Sequence, residues 1–442
     1  MPYTLDELVQ DIKEIINQLH NKIPHKLLFN IIILAFNKVK TIQFNPKLIN
    51  LTQLNFIKNH FHYYNDCNHI ILLYTDKYKN EVEKLIKDNN QILQSFRKNY
   101  KDQFKIKNLR IFKRFNNIRV IGIGGSSLGT KTIYSFLKDK IKKNVLFYDN
   151  LSPFNKKSGN KKHLNLIISK SGNTLETIVN SNILIKKSDK NIFITENKKN
   201  YLYSLAHKLK SEIVHHNNFI GGRYSVLSEV GMLPAELMGL NSKSFRQFNN
   251  LIKNQKYLNA LISNVGSTIN LIKKRKFNSI IINYDEKSQN FFSWYQQLVA
   301  ESLGKKGKGL LPVVSNMPRD NHSVMQLYLD GFKNNFYTFF YVHENNTSKI
   351  DNKFILPSQN FLKNKNIQNI TYAQKKATEN VFTKKNIPFR SFEIKKRDEK
   401  TLGELFCFFM LETILIGRAL KINPYNQPAV ELIKKETKKI LV

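Results

Sequence analysis

An apolar strand at 164–168 runs straight into Ser169-Lys170-Ser171-Gly172-Asn173-Thr174. A helical pattern follows at once, with Leu175, Ile178, Val179 and Ile183 on one face. Strand, short polar loop, helix N-terminus is the order that builds α/β layers, and it also builds an anion site. Backbone N–H groups at the helix start point outward, the helix dipole favours negative charge, and Ser169, Ser171 and Thr174 carry hydroxyls that can donate. The loop reads as a seat for a phosphate group. The same texture extends on both sides. Residues 118–123 read as a strand, 124–129 as a turn, and Ile133, Phe136 and Leu137 begin a helix face; further strands are predicted at 145–148 and 191–195. A linking helix over 251–271 leads to a second unit, with strands at 278–284, 336–342 and 392–394 and a helix at 289–303. Strands alternating with helices predict an α/β fold with parallel-rich sheets covered on both faces.

A chain of 442 residues is long enough for two to three domains. We divide it into a mainly helical segment over 1–105, which packs on the second domain, a first αβα domain over 106–245, a second over 246–420, and a C-terminal helix over 421–442. Thr4-x-x-Glu7 is a capping box ahead of Leu8, Ile12, Ile15, Ile16 and Leu19, which is a helix start rather than a secretory signal. The longest apolar runs, 27–36 and 406–416, are shorter than the ~20 residues of a membrane span and read as buried helices. Two cysteines, Cys67 and Cys407, make no disulfide framework, so a cytoplasmic protein off the membrane is the expectation. His60, His62, Cys67 and His69 are zinc ligands by type, but their spacing fits no standard structural site, and no metal is expected there. Residues 346–370, rich in Asn and Lys, read as surface loop.

The formal charge of +38 raises nucleic acid as a partner. Only 11 of the 71 basic residues are arginine, the side chain that base edges favour, and the lysines are spread along the whole chain. No nucleic-acid partner is expected; a positive field would still favour an anionic substrate.

Four more stretches carry chemistry. In Gly122-Ile-Gly-Gly-Ser-Ser-Leu-Gly129 a dinucleotide fingerprint would need glycine at 127, where this chain has Ser127; the stretch reads instead as close backbone approach to a polar ligand, touched by Gly125 and Ser126. Gly221-Gly-Arg-Tyr-Ser225 lets the backbone bend so that Arg223 offers a charged fork to an oxyanion from a cleft. Gln297 and Glu301 lie four apart on one helix face, and Gly304 places Glu301 in the last turn. His322, in Asp320-Asn-His-Ser323, is a proton shuttle by type, although Asp320 or Asn321 would also serve as a helix cap. Beyond these, Asn423-Pro-Tyr-Asn-Gln-Pro-Ala-Val-Glu431 enters a C-terminal helix on which Gln427, Glu431 and Lys434 recur at helical spacing.

Taken in order, G-I-G-G-S, S-K-S-G-N-T-x-E-T, G-G-R-Y-S, Q-Q-L-x-x-E-S-x-G-K, D-N-H-S and N-Q-P-x-V-E span residues 120–435 and resemble the motifs of the phosphoglucose (glucose-6-phosphate) isomerase family. Asn321 stands where that family often has Gln, and residues 1–115 carry no motif of it. The resemblance implies two αβα sandwich domains of the sugar-isomerase type, in a homodimer whose active sites lie between subunits. It implies Ser169, Lys170, Ser171, Gly172, Asn173 and Thr174 as the phosphate loop, with Gly125, Ser126 and Gln297 also contacting substrate. Glu301 would be the base, His322 the ring-opening histidine lent by the neighbouring subunit, Arg223 the charge stabiliser and Lys434 the C-terminal lysine. The implied reaction interconverts glucose 6-phosphate and fructose 6-phosphate through a cis-enediol(ate), with no metal or cofactor. A sugar-phosphate sensor of the same fold would keep the phosphate loop without needing Glu301, His322 and Lys434 together. An isomerase of mannose or amino-sugar phosphates is the other rival.

Overall fold

Nine strands form two all-parallel sheets in a computed structural model that describes residues 79–88, 90–153, 162–186, 189–344 and 347–442. The first sheet contains β1 (Asn117–Ile121), β2 (Asn144–Tyr148), β3 (Leu164–Ile168), β4 (Lys190–Glu196) and β5 (Glu212–His216), in the order β2-β1-β3-β4-β5. The second contains β6 (Asn278–Asn283), β7 (Leu311–Asn316), β8 (Asn335–Val342) and β9 (Phe389–Ile394), in the order β7-β6-β8-β9. Ile121 of β1 sits in register between Tyr148 of β2 and Ile167 of β3. The central strands are apolar along their length because helices cover both faces. All of β3 and all of β8 is buried. The capping box at Thr4, the 27–36 run and the His60–His69 cluster lie outside the described residues.

The helices that matter for the site are α1 (Leu128–Phe136), α2 (Leu175–Leu184), α3 (Tyr201–Lys208), α4 (Glu229–Leu237), α5 (Gln255–Lys273), α6 (Gln289–Leu303), α7 (Ile367–Lys384), α8 (Glu399–Ala419) and α9 (Val430–Leu441). Helix α6 packs on α1 from the first sheet and on β7 and α8 from the second, so one rigid element ties the two halves together. Helix α8 is buried continuously from Thr401 to Gly417, and its Phe406 and Phe409 close an aromatic cluster with Phe291 and Trp294 of α6. It buries two carboxylates. Glu412 is paired with Arg390. Among the described residues neither oxygen of Glu404 accepts a hydrogen bond, and Lys400 Nζ is 4.0 Å away. Burial pushes the Glu404 carboxyl up to about 7.

The structure departs from the sequence expectations in four places. Strands β5 and β7 are edge strands, half polar in β5 and holding Pro312 in β7, so neither carries a strong apolar signal. Helix α7 takes the end of the stretch read as loop; only 347–366 is irregular, with short turns at Asn352–Phe354 and Pro357–Leu362. Helix α2 buries its small polar side, Thr177, Asn180 and Ser181, while Leu175 and Ile183 stay 41% and 50% exposed. Asp320 does not cap the next helix; its Oδ2 accepts from the Asn316 amide at 2.7 Å.

Candidate active site

In the first sheet the chain leaves β1 on one side and β3 on the other, so the crevice between their C-terminal ends is the topological switch point where α/β folds hold ligands. Both sequence-predicted loops open there. The loop after β3 turns at Gly172, where φ is +65° and a Cβ would stand 1.8 Å from Asn200 Oδ1, so only glycine fits. Asn173 Oδ1 accepts from the Tyr201 amide at 3.0 Å, and the Lys170 carbonyl accepts from the Glu196 amide at 3.0 Å, tying the loop to β4 and α3. The first turn of α2 has no side-chain cap, which leaves its amides for an anion. Ser171 and Asn173 are exposed and Thr174 half-buried at the mouth of this turn. Lys170 is half-buried, and desolvation lowers its ammonium below the usual lysine range. Ser169 is buried beneath the loop, bonded to Thr174 Oγ1 at 2.8 Å and accepting from the Gly172 amide at 3.2 Å.

The loop after β1 reaches across to the other half. A Cβ on Gly124 would lie 2.9 Å from Gln297 Nε2, and one on Gly125 would lie 2.1 Å from the Gly222 carbonyl carbon. That contact allows no side chain at 125. Ser126, half-buried, follows in the same turn. Gly124–Gly125, the Gly222–Leu227 turn and the last turns of α6 therefore converge.

At their meeting point both oxygens of Glu301 are held. Gln297 Nε2 donates to Oε1 at 3.0 Å, and Arg223 Nη1 donates to Oε2 at 3.2 Å. Gln297 Oε1 is buried and has no partner among the described residues. Arg223 is 1% exposed, and all its donors are used. Nε donates to Ser302 Oγ at 2.8 Å, Nη1 also to Gln427 Oε1 at 2.6 Å, and Nη2 to the Pro424 and Asn426 carbonyls at 2.7 and 3.1 Å. Its own carbonyl accepts from Trp294 Nε1 at 3.1 Å. A guanidinium suits this role because its fork is planar and permanently charged.

Sequence reasoning missed Ser302, Trp294, Tyr224 and Lys305 as parts of this cluster, although Ser302 and Lys305 lie in the same motif as Glu301. Gln427 is also corrected: it precedes α9 rather than sharing a helix face with Glu431 and Lys434.

Two predicted residues are not brought to Glu301. His322 ends the Arg319–His322 turn after β7 and is exposed, with no side-chain hydrogen bond among the described residues. Glu301 lies at the end of the sheet where β7 begins, because α6 leads into that strand. Six residues of β7 then carry the chain about 20 Å to the opposite end, at about 3.3 Å per residue. Lys434 sits on α9, which buries no residue; it is paired with Glu431 at 2.6 Å and is 66% exposed. Among the described residues no group of three or more His, Cys, Asp or Glu could hold a metal ion.

Paired αβα sandwiches of the sugar-isomerase type, with a glycine-turned polar loop at one switch point and a held carboxylate on the connecting helix, define the class. Solved structures share the fold: a hypothetical protein from Thermus thermophilus (TM-score 0.73, 20% identity, 85% of this chain and 95% of that one) and a glucose-6-phosphate isomerase from Chlamydia trachomatis (0.65, 18%, 79% and 78%). The model of the family described as phosphoglucose isomerase matches residues 16–442. Glucose-6-phosphate isomerase of Methanocaldococcus jannaschii is 32% identical over 388 residues, covering 82% of this chain and 92% of the relative. That of Mycoplasmopsis pulmonis is 32% identical over 391 residues, with 82% and 87% covered. The chain belongs to the phosphoglucose isomerase family.

Proposed function

We infer that the protein interconverts glucose 6-phosphate and fructose 6-phosphate, in glycolysis and gluconeogenesis. The observation that carries this is Glu301, a carboxylate gripped by Gln297 and Arg223 where the loop from the phosphate crevice touches α6. Substrate phosphate binds at the start of α2, with Lys170, Ser171, Gly172, Asn173 and Thr174 around it, and its sugar lies along Gly125 and Ser126. Buried Gln297 Oε1 is an acceptor suited to a sugar hydroxyl. Glu301 then takes the proton from C2 of glucose 6-phosphate and returns it to C1. The enediolate between the two steps gains negative charge beside Arg223, whose Nη1 is the nitrogen shared with Glu301 and Gln427. A sensor would need no such base.

Ring opening needs an acid and a base near O5 and O1, and we assign these to His322 and Lys434. The length of β7 argues that His322 acts in the site of a second copy, so the working form is a homodimer with shared sites. Exposed Leu432, Ile433, Ile440 and Leu441 on α9 are consistent with a helix that docks when the assembly forms. Segments 106–245 and 246–420 then divide the labour: the first holds phosphate and the second supplies base and histidine. We place the protein in the cytoplasm; no helix among the described residues is long and apolar enough to cross a membrane. The test is a coupled assay of fructose 6-phosphate conversion by purified protein with added chelator. No turnover would refute the assignment, and loss of turnover to the chelator would refute a metal-free mechanism.

A further inference from the structure

The loop that follows the base helix holds a group the mechanism has not used. After Gly304, residues 305–308 form a tight hairpin with Lys306 at φ +55° and Gly307 at φ +67°, the left-handed pair that a two-residue type I′ turn requires. The hairpin fixes the direction of Lys305, four residues beyond Glu301. Lys305 Nζ donates to the Asn423 and Asn426 carbonyls, both at 2.6 Å, with Asn426 Oδ1 at 3.3 Å. The Asn426 carbonyl is also held by Arg223, and the next residue is Gln427, whose side chain meets Arg223 Nη1.

We propose that Lys305 is a positioning residue of the isomerase: its ammonium group clamps the 423–427 turn onto the end of α6, and so sets where Gln427 and the helix carrying Lys434 stand relative to Glu301. The proposal rests on the isomerase reading above. The bonding pattern is unusual for a surface lysine. Among the described residues no carboxylate is paired with Lys305; its charge is met by two main-chain carbonyls and an amide oxygen. The charged groups facing it are Arg223 from the 222–227 turn and Glu301 from α6, while the C-terminal turn meets it with the Asn423 and Asn426 oxygens and has no acid between 420 and 427. Desolvation first, then Arg223, bring the Lys305 ammonium down to about 8, and Glu301 opposes them. An ammonium has three protons to donate and a neutral amine two, so the clamp loosens as pH rises through that range.

The experiment compares Lys305→Met, Lys305→Arg and wild type in the coupled assay across about pH 6 to 9.5. Wild-type turnover is measured first, so that failure of the isomerase reading is seen separately. Lys305→Met is expected to lower kcat tenfold or more at neutral pH, with a smaller change in KM, because the phosphate seat lies on the other half. Lys305→Arg is expected to keep at least a third of the activity and to move the alkaline limb of kcat, near pH 8 in wild type, upward by a unit or more, since guanidinium does not titrate there. A kcat for Lys305→Met within twofold of wild type overturns the clamp. An alkaline limb unmoved in Lys305→Arg overturns the role of Lys305 protonation, and that variant decides the matter if Lys305→Met does not fold.

Discussion

Replacing Glu404 by Gln should remove a pH dependence from folding, and its size follows from where the side chain sits. Glu404 is fully buried in α8, neither oxygen accepts a hydrogen bond among the described residues, and desolvation raises its carboxyl from 4.5 to about 7; Asp398 adds to the rise and Lys400 opposes it. A raised folded-state value means the native protein holds this proton more tightly than the unfolded chain. The stabilisation is therefore complete below the unfolded value of 4.5 and is lost as pH rises through 7. At about 1.4 kcal/mol per unit the full effect is about 3 kcal/mol, of which about 2 kcal/mol falls between about pH 5.5 and 8. The assay is urea unfolding at those two pH values, followed by fluorescence of Trp294, the one tryptophan, whose ring centroid is 4.8 Å from that of Phe406 on α8. A buried amide carries its own fixed cost, so the pH dependence is compared rather than the absolute stability. Wild type should lose about 2 kcal/mol more than Glu404→Gln on going to the higher pH. Equal losses in the two proteins, to within about 0.5 kcal/mol, would show that Glu404 is ionised in the native state and the argument from burial wrong.

Glu301→Gln should fold normally and lose about 10²–10⁴-fold in kcat, together with solvent-proton exchange into substrate; near wild-type turnover would remove Glu301 as the base. Ser171→Ala combined with Thr174→Ala should raise KM far more than it lowers kcat, since these groups hold phosphate in ground and transition states alike, and an unchanged KM would take the loop out of the binding site. Mixed dimers of Glu301→Gln and His322→Ala should recover activity. One site of each mixed dimer then holds both lesions and the other neither, and random re-pairing makes about half the dimers mixed, so about a quarter of wild-type activity should return. Confirmed mixed dimers without activity would place both residues in one chain's site.

The layered fold and the Gln297–Glu301 pair were legible in sequence because each rests on local pattern. Apolar strands such as β3 and β8 announce themselves, and Gly172, Gly125 and Gly304 mark turns that side chains would obstruct. What stayed hidden depends on neighbours far along the chain. Helix α2 shows four apolar residues at helical spacing, yet packs through Thr177, Asn180 and Ser181, because small side chains let it lie close. The spacing of Gln427, Glu431 and Lys434 looks like one helix face, but Arg223 and Lys305 hold the chain in an irregular turn up to Gln427. The separation of His322 from Glu301 follows from strand direction, which no local pattern records.

The grip on the C-terminal turn is applied almost wholly to main chain. Lys308 takes the carbonyl of Leu420, Lys305 those of Asn423 and Asn426, and Arg223 and Tyr224 share that of Pro424. Every residue type presents the same carbonyl, so what these donors measure is spacing along the backbone. Side chains facing outward between 420 and 427 are thus free to vary with little effect on the hold. A single inserted or deleted residue would slide each carbonyl off its donor, and would carry Gln427 and α9 out of place together.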